Sequence, residues 1–155
     1  MRLTKMSRYG TRAIFDIAYH SLGLPVHAKD VSERQEIPLK YLEQIFHKLE
    51  KSAIVKGTRG PRGGYVLAKE PSKITVGDII RAVQEKTSLV KCINPEAKDY
   101  ESCHRESECV TRPLWEEAGR KVADLFDSVT ISDLCEKAGK LNVKRDVHHS
   151  FDYSI

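Results

Sequence analysis

Three of the four cysteines, Cys92, Cys103 and Cys109, fall within 18 residues; ten residues separate the first two and five the last two. Thiolates are soft donors, and a polar, irregular segment carrying three of them suits iron–sulfur ligation. The short Cys-x-x-Cys knuckles of a structural zinc site are absent. Structural disulfides are not expected in a reducing compartment. Unligated or redox-active thiols, and zinc, stay open beside the cluster at this level. His104 adjoins Cys103, and neighbouring side chains do not readily chelate one iron. Cys135 stands apart on a predicted helix and reads as a small buried residue. Other chemistry is missing. Carboxylates scatter over predicted solvent faces and no Ser/His/Asp order stands out, so an enzyme is not expected.

A second group of residues points to a polyanion. Residues 1–65 hold 12 Lys/Arg against 6 Asp/Glu, whereas residues 66–155 hold 14 against 16. The first 12 residues carry Arg2, Lys5, Arg8 and Arg12 and no acid. Such a basic half favours nucleic acid. Lys40, Gln44, His47 and Lys48 share the polar face of one predicted helix, with Glu43 beside them. Gln can pair with adenine, Lys can donate to guanine, and Glu can accept from a cytosine amine. Arg59 and Arg62 lie in a Gly/Pro-rich turn, where a thin tip can carry them into a narrow minor groove. A phosphate-binding loop is excluded there, because no Lys-Ser or Lys-Thr pair follows the glycines.

The elements that must position these residues are legible from periodicity. Ala13, Ile14, Ile17, Ala18 and Leu22 predict a helix over 7–22 with Ser7 as its N-cap. A short helix follows over 27–36, with Val31 inward and Asp30, Glu33, Arg34 and Glu36 outward. Pro38 suits the first turn of a third helix running to about Ser52, with Leu42, Ile45, Phe46 and Leu49 as its apolar stripe. Two β-prone runs within 54–67 flank the Gly/Arg turn and read as a hairpin. Residues 75–86 are helical again, and 88–109 form a long loop. Val110 to Asp127 is amphipathic, about 27 Å long, with Val110, Leu114, Trp115, Ala118, Val122, Leu125 and Phe126 on one stripe. A short helix over 131–140 and a polar, frayed tail from Asn142 complete the chain. The fold class is therefore mostly α with a small β-hairpin wing: a winged helix-turn-helix domain plus a long amphipathic helix, which the resemblance below makes a dimerisation helix.

Ser7-Arg8-Tyr9-Gly10, Ser32-Glu33-Arg34-Gln35, Tyr41-Leu42-Glu43-Gln44-Ile45 and Arg59-Gly60-Pro61-Arg62-Gly63-Gly64-Tyr65 together resemble the BadM/Rrf-two superfamily of bacterial winged-helix regulators. The resemblance runs from Met1 to about Thr130. It implies a sequence-specific transcriptional regulator that binds a double-stranded DNA operator as a homodimer. It also implies DNA contacts at Lys40, Glu43, Gln44 and Arg59, to which the hairpin adds Arg62. A cluster-binding loop just before the long crossing helix is implied too, with Cys92, Cys103 and Cys109 as ligands of a 2Fe-2S or 4Fe-4S cluster. The organisation expected is a DNA-binding domain over 1–86, a sensor loop over 87–109, a dimerisation helix and short helix over 110–140, and a tail over 141–155.

The chain departs from the superfamily pattern. Members commonly space the first two cysteines by about five residues. Some carry a His where Arg112 stands, and others an Asp where Arg8 stands, as fourth ligand. Glu106, Glu108, solvent or a partner-chain residue are left for that position. The alternative is a regulator of this fold that senses a small molecule or partner protein without any metal. No apolar run approaches the roughly 20 residues that span a bilayer. Met1 to Arg8 lacks the apolar stretch of a signal peptide, so a cytoplasmic protein is expected.

Overall fold

Helix α1 (Lys5–His20) starts two residues before the position that periodicity suggests, because Thr4 and not Ser7 caps it. The Thr4 hydroxyl accepts the Ser7 N–H at 3.1 Å. Ser7 is buried instead, and its hydroxyl donates to Gln84 at the far end of α4. The computed structural model describes residues 3–84, 88–98 and 100–146. The helices that follow are α2 (Ala28–Gln35), α3 (Leu39–Lys51), α4 (Val76–Val83), α5 (Arg112–Ser128) and α6 (Ile131–Lys140). Strands β1 (Val55–Thr58) and β2 (Gly64–Leu67) pair antiparallel with Gly57 opposite Tyr65. The molecule is thus mostly helical with one two-stranded wing.

The core forms where the helical stripes meet. Ala13, Ile14 and Ile17 of α1, Val31 of α2, Leu42, Ile45, Phe46 and Leu49 of α3, Ile79 of α4 and Ile131 of α6 are all fully buried. Each Val, Leu, Ile or Phe side chain among them contributes roughly 1.5–3 kcal/mol by leaving water. The α1–α3 approach is close: a Cβ on Gly10 would lie 3.6 Å from Ile45 and 3.3 Å from Ile79. Helix α6 turns back to pack on α1. A two-residue bridge fastens its start, with Val76 N–H donating to Val129 and Ile131 N–H to Ile74, each at 2.9 Å.

Arg34 does not point outward as the helical pattern suggests. Its guanidinium turns into the body and holds Asp16, which has no exposed side-chain surface, at 2.6 Å. Gln35 donates to the same carboxylate at 2.8 Å. Burial works against the Arg34 charge, but the Asp16 carboxylate outweighs it and raises the guanidinium pKa further. The pair is costly to break from the Arg34 side, because Asp16 would be left charged and without solvent.

The polar tail does not fray at Asn142. Tyr19 donates its phenol proton to the Val143 carbonyl at 2.8 Å. The Arg145 guanidinium sits 4.7 Å above the Tyr19 ring. The Asp146 N–H donates to His20 Nδ1 at 2.9 Å. Residues 147–155, and with them the rest of the expected tail, lie outside the described residues, as do 85–87 at the expected end of the DNA-binding domain.

Candidate nucleic-acid interface and cysteine segment

Pro38 stands one residue before α3, and its carbonyl accepts the N–H groups of Tyr41 and Leu42 at 2.9 and 3.0 Å. The buried stripe of α3 turns Lys40, Glu43, Gln44 and His47 to solvent. Lys48 leaves this group: its Nζ donates to the Val83 carbonyl at 3.0 Å and closes the end of α4. Lys40 and Gln44 line a recess of about 430 Å³ with Lys5, Tyr9, Pro38 and Tyr41. Tyr9 and Tyr41 meet edge to face there, 5.8 Å between ring centres. Lys5 and Tyr9 escape a reading confined to α3. The signal that could have found them is the acid-free basic start of the chain, which α1 carries beside the first turn of α3.

The wing stands at the other end of α3. The Tyr65 ring stacks on Phe46 at 4.3 Å. Tyr65 also exchanges backbone hydrogen bonds with Val26, at 3.0 and 2.8 Å, so the chain two residues before α2 braces β2 from outside. Burial, and then the charges of Glu50 and Glu43, push the Tyr65 phenol above its ordinary range. At the tip, Gly60 has φ 103°, a conformation that glycine adopts without cost, and its carbonyl accepts the Gly63 N–H at 2.8 Å. Arg59 and Arg62 are exposed on this tip. Neither they nor Lys40 form an ion pair among the described residues. Solvent-facing cations on a helix face and a thin tip make a surface that a polyanion can meet.

The sequence profile of the family described as "Rrf2: Iron-dependent Transcriptional regulator" matches residues 3–137. The chain belongs to the Rrf2 family. It is a DNA-binding transcriptional regulator, not an enzyme. It is 40% identical over 143 residues to the HTH-type transcriptional regulator IscR of Pectobacterium atrosepticum, covering 92% of this chain and 84% of that one. Among solved structures, T. potens IscR matches with TM-score 0.74 and 32% identity over 94% of both chains. CymR, the global cysteine regulator of B. subtilis, matches with TM-score 0.73 and 33% identity over 88% of this chain and 98% of that one. Family membership and the winged helix-turn-helix fold agree with the expectation from sequence. One likeness is to IscR proteins and another to a cysteine regulator, so likeness alone leaves the sensing chemistry to this chain's own residues.

Those residues are all in view. Cys92, Cys103 and Cys109 are free and half-buried in the segment before α5. Among the described residues no three Cys, His, Asp or Glu side chains stand close enough to hold a metal ion. The structure therefore does not bring the three thiols together. Their chemistry fits an iron–sulfur cluster, since all three are soft donors. The Thr111 hydroxyl and backbone hold the Cys109 thiol below its ordinary pKa, which favours the ligating thiolate. Arg112 begins α5, two residues later than Val110. Its guanidinium pairs with Glu106 and, at 2.8 Å, with Glu116. The residue at the expected fourth-ligand position is thus a cation that also engages Glu106. Glu108 and His104 are exposed, and Arg8 is exposed on α1. Cys135 is half-buried on α6 against the core, where burial raises its pKa.

Proposed function

We propose that α3 reads the major groove of a double-stranded operator while Arg59 and Arg62 on the wing contact phosphates or the adjacent minor groove. The observation that carries this reading is the pair of solvent-facing sets, Lys40, Glu43 and Gln44 on α3 and the two arginines on the wing. An apolar core fixes both sets to one rigid body. A recognition helix needs an apolar face to dock and a polar face to read, and α3 has both. The partner in assembly is a second copy of the chain. Leu114 at 59% exposure and Leu125 at 60% leave an apolar face on α5 that a second α5 would cover. The workplace is the cytoplasm, in keeping with the absence of any membrane-spanning helix among the described residues.

For sensing, Cys92, Cys103 and Cys109 would hold an iron–sulfur cluster of two or four irons. When bound, such a group supplies a centre sensitive to oxidants and nitric oxide. This chain's own part is to exchange one arrangement of the segment for another. Residues 88–111 run directly into α5, so drawing the thiols together moves the first turn of α5 and shifts the DNA-binding population. Anaerobic purification followed by iron and sulfide analysis tests this. Iron and sulfide in stoichiometric amounts, lost on replacing any of the three cysteines by Ala but not Cys135, are the expected result. Stoichiometric zinc, or no iron after reconstitution, would overturn it in favour of a metal-free regulator.

A further inference from the structure

The wing is a two-stranded ribbon, and such ribbons are marginally stable alone. Its stiffness has to come from its edges and its face. One register pair, Gly57 and Tyr65, receives all three supports. On the β2 edge, Tyr65 pairs with Val26. On the inner face, Tyr65 stacks on Phe46. On the β1 edge, the Gly57 N–H donates to Glu50 Oε1 at 3.0 Å. Glu50 lies in the last turn of α3, seven residues after Glu43, so the two carboxylates share the flank that faces the wing. Gly57 leaves room for this contact, since a Cβ there would stand 3.0 Å from the same oxygen.

We infer that Glu50 is a positioning residue for DNA recognition: its carboxylate fastens the β1 edge to α3 and so fixes where the wing arginines stand relative to Gln44 and Lys40. A carboxylate beside DNA would otherwise repel phosphate. Held on a backbone N–H, it acts as a strut. The inference rests on the recognition reading above and adds to it the residue that sets the distance between its two halves.

Three variants separate the strut from the charge. Glu50→Ala and Glu50→Gln both remove the negative charge, but only Gln keeps an oxygen to accept from Gly57. Gly57→Ala keeps the charge and crowds the carboxylate off the strand. The probe is the duplex that the full-length wild-type chain selects from a random-sequence pool, read by hydroxyl-radical footprinting and a salt series. Arg59→Ala and Gln44→Ala serve as markers of wing and helix contacts. In Glu50→Ala and Gly57→Ala, the protections that Arg59→Ala abolishes should fade, affinity should drop by roughly tenfold, and the salt slope should fall by about 1. The base preferences that Gln44→Ala relaxes should persist. Glu50→Gln should match the wild type in footprint pattern. Loss of the wing protections in Glu50→Gln as in Glu50→Ala, or their retention in Glu50→Ala, would overturn the strut. A wild-type chain that enriches no duplex would overturn the recognition reading itself, and the strut with it.

Discussion

Eight of the 16 residues of α1 are buried; of the 17 residues of α5, none is. Both helices are amphipathic. In α1 the apolar stripe meets α3, α4 and α6, and even its acid, Asp16, is matched by Arg34 and Gln35. In α5 the stripe is half covered by α4, with Leu114, Trp115 and Leu125 left exposed, and its polar residues are tied by exposed pairs such as Lys121–Glu117 at 3.0 Å. The winged-helix body is complete within one chain. Helix α5 and the cysteine segment have no comparable burial, and it is on them that the proposed second copy and cluster would act.

The contrast can be broken from either side. The largest effect is expected inside the body. Asp16→Ala takes the carboxylate from the half-buried Arg34 and the partner from Gln35, and should lower stability by about 2–3 kcal/mol in urea denaturation. Glu116→Ala on α5 should change it by less than about 1 kcal/mol. Equal losses would mean that the two regions are not built differently. On α5 the effect should appear in assembly instead of folding. Trp115→Asp should raise the dimer dissociation constant at least about 30-fold by sedimentation or light scattering, with the body still cooperatively folded. A wild type that is monomeric at micromolar concentration would remove the second copy from the account. On the reading surface, Gln44→Ala should cost about 1–3 kcal/mol at one or two operator positions and little elsewhere.

The smallest effect concerns pH. Burial lowers the His20 pKa below 6.5, against the pull of Asp16, and its Nδ1 accepts the Asp146 N–H, which requires the neutral ring. The unfolded chain therefore takes up this proton first on acidification. The contribution of His20 is fully present above pH 6.5 and declines as the pH falls below it. Comparing denaturation midpoints of the wild type and His20→Asn between pH 7.5 and 5 should show a shallower decline in the variant. Parallel curves would mean that the 143–146 contact does not depend on this ring.

What the sequence concealed follows from the same contrast. The α3 stripe was legible because its four apolar positions are all fully buried, and the wing because Gly60, Gly63 and Gly64 leave few other structures open. Arg34 was not, since a charge on a short polar helix reads as solvated until its distant partner Asp16 is known. The docking of residues 143–146 was hidden for a similar reason: it rests on two backbone groups and one ring face, none of which has a periodicity. The α3 flank formed by Glu43 and Glu50 could be placed by helical spacing, but the strand N–H that receives Glu50 depends on the wing's approach. The cysteines announced a chemistry through type and spacing, while their distances belong to a segment in which a single 3-10 turn, Glu106–Glu108, is the regular structure among the described residues.

The fastening of α5 has a mechanical side. Its C-terminal end is pinned to α4 by Asp127, which accepts from Arg81 at 2.7 Å, and by the Val129 carbonyl at the bridge. Its first turn, by contrast, is tied to the preceding segment through Arg112 and Glu106. Seventeen helical residues make a rod about 25 Å long, so a tilt of about 10° at the pinned end swings the Arg112 end through about 4 Å. Helix α5 is a cantilever with its load point beside the cysteines. Read in reverse, a displacement of a few ångströms at the Arg112 end returns at the body as a small rotation, delivered to α4, which packs on the helix that carries Gln44.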